Sequence, residues 1–149
     1  IALLARFVLP AMHNALEKAA YGRAQIEFKS VHQSMLQYRK QYGDYPPDAN
    51  RDIPPGLEEF LAPGIWPEAP WKGSVYDWDR YDDPDNPGQE ILQVSARFCD
   101  IGDASSCRFP KEPWSTGFDI NSSVYYCIEG ACRAHPSRPI DHPGHCINC

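Results

Sequence analysis

Ala24-Gln25-Ile26-Glu27-Phe28-Lys29-Ser30-Val31-His32-Gln33-Ser34-Met35-Leu36-Gln37-Tyr38-Arg39-Lys40-Gln41-Tyr42 is the stretch from which the rest of the chain can be read. Ala24, Phe28, Val31, Met35, Tyr38 and Tyr42 recur in steps of four and three, the spacing of one stripe on an α-helix. Leu16 and Ala20 carry the stripe backward in steps of four. Gly43, Asp44, Tyr45, Pro46 and Pro47 then end it, because glycine supplies a left-handed cap and paired prolines forbid continuation. Upstream, from Ile1 to Leu16, only Arg6, His13, Asn14 and Pro10 interrupt apolar residues. One helix over residues 1–42 would be about 60 Å long, whereas the remaining residues form a body only about 30–35 Å across. Part of the helix must therefore lie beyond the body, and that part is the apolar one. Exposed apolar surface of this extent requires a partner, either membrane or other copies of the chain. Pro10 should kink or open the helix locally, since it removes one backbone bond and crowds the preceding turn at a cost of about 3 kcal/mol.

This gives a division at residue 23: a protruding apolar helix over 1–23 and a globular head over 24–149 that includes the amphipathic half. Charge follows the same division. Residues 1–42 carry Arg6, Lys18, Arg23, Lys29, Arg39 and Lys40 against Glu17 and Glu27, a net of +4, so the chain's −6 leaves −10 on the remainder. The basic residues are scattered around the helix and the head is acidic, so direct nucleic-acid binding is not expected.

In the head, Ser74–Trp78, Glu90–Phe98 and Phe118–Ile128 carry the β-branched and aromatic residues of strands. Ile91, Gln93, Ser95 and Arg97 would share one face, with Leu92, Val94, Ala96 and Phe98 on the other. Glu129-Gly130 reads as a hairpin turn before Cys132-Arg133. The fold class is α+β: a long N-terminal helix whose C-terminal half packs on an antiparallel sheet.

The N-terminal apolar helix with its Leu9-Pro10 step, the ending Tyr38-x-x-x-Tyr42-Gly43-Asp44-Tyr45-Pro46, and the segment Leu57-Glu58-Glu59-Phe60-Leu61-Ala62-Pro63 resemble the type IV pilins and the pseudopilins of type II secretion. The resemblance covers about the first half of the chain. It implies a structural subunit, the major pilin of an extracellular, cell-surface helical filament, anchored in the membrane before assembly. It also implies an inner-membrane assembly platform and a prepilin peptidase as partners, besides further copies of the chain. Leu3, Leu4, Phe7, Val8, Pro10, Met12 and Leu16 would form the assembly helix. The family's cleavage motif and early acidic residue have no counterpart here, which leads us to expect a stalk that begins before Ile1. Two alternatives stay open: a secretion pseudopilin, and a membrane-anchored binding module with an aromatic site around Trp66, Trp71, Trp78 and Trp114.

Cys99, Cys107, Cys127, Cys132, Cys146 and Cys149 all lie in the last third, an even number in a loop-rich region, which reads as disulfides formed outside the cytoplasm. Short loops favour Cys99 with Cys107 and Cys127 with Cys132; Cys146 and Cys149 either join or reach elsewhere. His135, His142, His145, Cys146 and Cys149 are the rival zinc set, and Cys146-x-x-Cys149 the rival redox pair. Asp77, Asp79, Asp83 and Asp85 are candidate calcium ligands, since calcium takes oxygen donors; the pseudopilin resemblance adds that some members bind calcium in a head loop. The competing reading is a solvated acidic hairpin loop. No other cofactor is expected. Asn121, in Asn121-Ser122-Ser123, is a candidate glycan acceptor. The sequence contains no glycine-rich phosphate loop, nucleophile elbow or paired carboxylates on one helical face, so catalysis is not expected.

Overall fold

The computed structural model describes residues 2–71, 74–97, 123–137, 140 and 144–149, taking residues 2–7 by backbone alone. The helix α1 runs over Ala2–Tyr42. It continues through Pro10 without ending, since one missing hydrogen bond is local and complete turns on both sides hold the helix. At the other end Gly43 has φ 86° and its N–H donates to the Arg39 carbonyl at 2.8 Å, the left-handed cap anticipated from sequence. Arg39 and Lys40 sit in the last turn, where cations complement the exposed carbonyls.

After a single 3-10 turn over Leu57–Glu59 come β1 (Val75–Asp82), β2 (Glu90–Arg97), β3 (Ser123–Glu129) and β4 (His145–Cys146). The sheet order is β1-β2-β3-β4; β1, β2 and β3 pair antiparallel, and β4 pairs parallel to β3. In register, Trp78 faces Val94, which faces Tyr126. Because side chains alternate along a strand, Tyr76 and Trp78, then Leu92, Val94 and Ala96, then Val124 and Tyr126, form one apolar face. It packs on Ala24, Phe28, Val31 and Met35 of α1. Phe28 meets Tyr76 edge-on at 4.9 Å between ring centres, and Tyr76 Oη donates to Glu27 Oε2 at 2.7 Å, tying strand to helix. Burying Phe28, Val31 and Met35 contributes about 1.5–3 kcal/mol each. Head contact begins one turn earlier, at the partly buried Ala20 and Tyr21, and weakens at Tyr42, which is mostly exposed.

The alternation expected along β2 is present, with Ile91, Gln93, Ser95 and Arg97 on the face away from the helix. Two expectations change. β1 extends past Trp78 to Asp82, because Asp77 and Asp79 are taken in by the far face of the sheet and so need no loop. The third strand is described from Ser123; residues 98–122 lie outside the described residues. Glu129-Gly130 does reverse the chain, but Cys132-Arg133 leaves the ladder instead of pairing as a hairpin. Gly130 has φ 85°, and a side chain there would strike the Glu90 carbonyl.

Candidate assembly surface

Val8, Leu9, Met12 and Leu16 are 47, 66, 56 and 67% exposed. They occupy the turns of α1 ahead of the head, with Pro10 and His13 also exposed beside them. Nothing in the described chain covers these side chains, whereas the stripe from Ala24 to Met35 is buried. The difference is geometric: the sheet is as long as its eight-residue strands, so a helix of 41 residues outruns it. The side chains of Leu3, Leu4 and Phe7 lie outside those described. No described helix is long and apolar enough to cross a membrane.

The acidic segment is organised in two halves: Asp77 and Asp79 lie within β1, whereas residues 83–89 form the exposed hairpin connection to β2, with Asp83 alone buried in it. Asp77 and Asp79 lie on the far face of β1 and are buried. The Arg51 N–H donates to Asp77 Oδ1 at 2.8 Å. Ser95 Oγ and Gln93 Nε2 donate to Asp79 Oδ2 at 2.8 and 3.3 Å. Arg97 Nη2 stands 3.8 Å from Asp77 and 3.5 Å from Asp79. Burial raises the pKa of both carboxyls, and for Asp79, with Asp77 beside it, pushes it up to about 7.

The second half is held by Arg133, which is 2% exposed. Arg133 Nη2 donates to Asp83 Oδ1 at 2.7 Å and Nη1 to Asp85 Oδ2. Asn86 Nδ2 donates to Asp83 Oδ2 at 2.8 Å, and the Asp85 N–H caps Asp83 Oδ1 at 2.9 Å. The Asn86 amide, supported by Arg133, holds Asp83 below the usual carboxylate range. Gln93 positions the arginine: its amide exchanges two hydrogen bonds with the Arg133 backbone, at 2.8 and 3.0 Å. The four carboxylates named as calcium ligands are thus divided between two guanidinium groups, and no three His, Cys, Asp or Glu side chains among the described residues gather to hold an ion. Arg97 shared in the sequence the β2 face of Gln93 and Ser95, the residues that lie opposite Asp79 and Asp77. Arg133 had no such signal, being 50 residues from Asp83.

Cys127 is bonded to Cys132 and Cys146 to Cys149. The second bond takes up both thiols on which the zinc reading drew; it is equally the oxidised form of the Cys146-x-x-Cys149 pair. Asn148 joins the two bridges: its amide accepts from the Cys127 N–H at 2.8 Å and donates to the Cys127 carbonyl at 2.7 Å. Tyr21 Oη and His145 Nε2, 3.3 Å apart, fasten this region to α1. Cys99, Cys107, Asn121, Trp114 and His142 lie outside the described residues. Of the other tryptophans, Trp78 is wholly buried, with Nε1 donating to the Pro46 carbonyl at 3.1 Å, and Trp71 is 7% exposed. Trp66, the most open of the three, lines one pocket together with Trp71 and Tyr76, whereas Trp78 lies apart from it in the core.

The long helix laid on a mostly antiparallel sheet, closed by C-terminal disulfides, is a pilin-like architecture. Comparisons with family models, curated proteins and solved structures return no match. The architecture therefore stands on the helix, the sheet and the disulfides themselves.

Proposed function

We propose that this chain is a structural subunit of an extracellular helical filament of the type IV pilus kind, assembled through the apolar N-terminal part of α1. The observation that carries the reading is the row Val8, Leu9, Met12 and Leu16, exposed on a helix that is continuous with the core of a disulfide-tied head. Withdrawing those four side chains from water is worth about 1–2 kcal/mol each. A single contact would barely meet the cost of association, at least about 4 kcal/mol, but a subunit in a helical array touches several neighbours and repeats the gain. Identical subunits related by a screw make contacts that do not close on themselves, which is what growth of a fibre requires. A net of +4 on residues 1–42 and −10 on the remainder adds attraction between staggered copies, weakening with salt. The Cys127–Cys132 and Cys146–Cys149 bonds suit a head that works outside the cytoplasm.

The test is Leu16→Asp and Met12→Asp, each made in the cells that produce the protein. Both positions are exposed, so the head should fold as before, and micrographs of sheared surface material should show no fibres containing the variant. Normal fibres from both variants would overturn the proposal. Fibres dominated by this chain at the cell surface favour a pilus, whereas retention in the cell envelope favours a secretion pseudopilin.

A further inference from the structure

Residues 144–149 lie along the outer edge of β3. Val124 pairs with His145 and Tyr125 with Cys146 in parallel register, and the Ile147 N–H donates to the Tyr125 carbonyl at 2.9 Å. Past Ile147 a side chain continues the ladder: the Asn148 amide meets both backbone groups of Cys127, at 2.8 and 2.7 Å. Gly144 approaches the buried Ala134 so closely that a side chain on it would strike the Ala134 Cβ. His145 meets Tyr21 of α1, and Ile147 packs at the margin of the core.

Every one of these contacts is non-covalent. The Cys146–Cys149 bond closes a ring inside the segment and does not fasten it to β3, whereas Cys127–Cys132 ties the end of β3 to the chain beyond its turn. The ring acts on the freedom of the segment. Closed, it leaves the segment fewer conformations to gain on coming away from β3, by a factor of about twenty for so short a loop in the chain-entropy account. Access differs between the two bridges as well. Cys149 is exposed, whereas Cys127 and Cys132 are both half-buried, with Cys132 Sγ 3.5 Å from the Leu92 carbonyl. A reductant therefore meets the Cys146–Cys149 bond first.

We propose that residues 144–149 are a redox-gated strap over the edge of β3, held down while Cys146 and Cys149 are joined and loosened when a dithiol reduces them. A thiolate of the dithiol attacks Cys149 Sγ, forming a mixed disulfide, and Cys146 Sγ leaves as a thiolate that takes up a proton. The second thiol of the reductant then attacks the mixed disulfide and Cys149 leaves as a thiol. Two electrons and two protons pass to the strap, and the reductant ends as its own disulfide. When the strap lifts, the Tyr125 carbonyl and both backbone groups of Cys127 lose their partners, leaving an open strand edge. Reoxidation closes the ring and covers the edge again. The inference uses contacts within the head alone and does not depend on the filament reading.

Native-state hydrogen exchange on the full chain, with dithiothreitol as the dithiol, tests the proposal. Alkylation and peptide mapping first find the concentration at which Cys146–Cys149 is open and Cys127–Cys132 intact. At that concentration the Cys127 and Ile147 amides, which donate to Asn148 and to the Tyr125 carbonyl, should exchange about twentyfold faster, while amides within β1 keep their rates. Reoxidation should restore slow exchange at both positions. Cys146→Ser combined with Cys149→Ser should give the fast exchange with no reductant present. Three results would overturn the proposal: Cys127–Cys132 opening before or together with Cys146–Cys149, both amides exchanging as slowly with the ring open as with it closed, or an equal acceleration throughout β1.

Discussion

Replacing Asp79 by Asn should change how the stability of the head depends on pH. The Asp79 carboxylate is 1% exposed, accepts from Ser95 and Gln93, and shares Arg97 with Asp77. Arg51 and Asp48 act on the Asp77 side of the pair. Burial lifts the Asp79 pKa from an ordinary 3.8 to about 7. Between those two values the folded chain holds a proton that the unfolded chain has released, so stability falls as pH rises through this window. At 1.36 kcal/mol per pKa unit the loss approaches about 4 kcal/mol, a ceiling that relaxation around the charge would reduce. Asp77, also raised by burial, acts in the same direction. Asp83 is lowered by its Asn86 and Arg133 bonds, so its contribution is present above about pH 4 and lost as pH falls through its folded value. His32 and His145, lowered by burial, make stability rise with pH toward 6.5. Asp79→Asn also removes the charge beside Asp77, so the difference between the two proteins reports the Asp77–Asp79 pair, whose two members act in the same direction. Urea unfolding at a series of pH values is the assay. The variant should match the wild type near pH 4 and exceed it by up to several kcal/mol at neutral pH. A difference that stays constant between about pH 4 and pH 7 would refute the reasoning.

Four further outcomes follow from the packing. Phe28→Ala, which empties the centre of the helix–sheet core, should cost about 3–5 kcal/mol in urea unfolding; a loss under 1 kcal/mol would mean the helix does not pack as described. Arg133→Met leaves Asp83 and Asp85 facing each other without a cation and should lower the melting temperature by roughly 10 °C. Calcium added to the chelated wild-type protein should raise the melting temperature no more than magnesium does, because Arg133 already takes the oxygens of Asp83 and Asp85; a specific calcium shift would require those ion pairs to open. Peptide mapping without reduction should recover Cys127 with Cys132 and Cys146 with Cys149, and removing either bond should cost about 2 kcal/mol by loop entropy.

The helix, its cap and its buried stripe were legible because they depend on residues three and four apart, and Gly43 and the following prolines mark the end without ambiguity. The two faces of β2 were legible for the same reason, with a period of two. Pairings across the chain were less so. Asp79 looks like a loop residue in a run of acids; it belongs to a strand because Gln93, directly opposite it on β2, and Ser95, two residues further along, offer it donors. Arg133 carries no local signal of burial. Its place is fixed by the turn at Gly130, by the amide of Gln93 and by the two carboxylates it meets, all of which become neighbours only once the sheet exists. The assembly row was legible as an excess: more apolar helix than the head can cover.

Cryo-electron microscopy of fibres sheared from the source cells tests the filament reading most directly. The account predicts a helical map that fits this sequence, with Val8, Leu9, Met12 and Leu16 buried between subunits along the axis and the sheet and its disulfides facing solvent. The absence of such fibres from cells that make the protein, or fibres in which those four side chains remain in water, would contradict it.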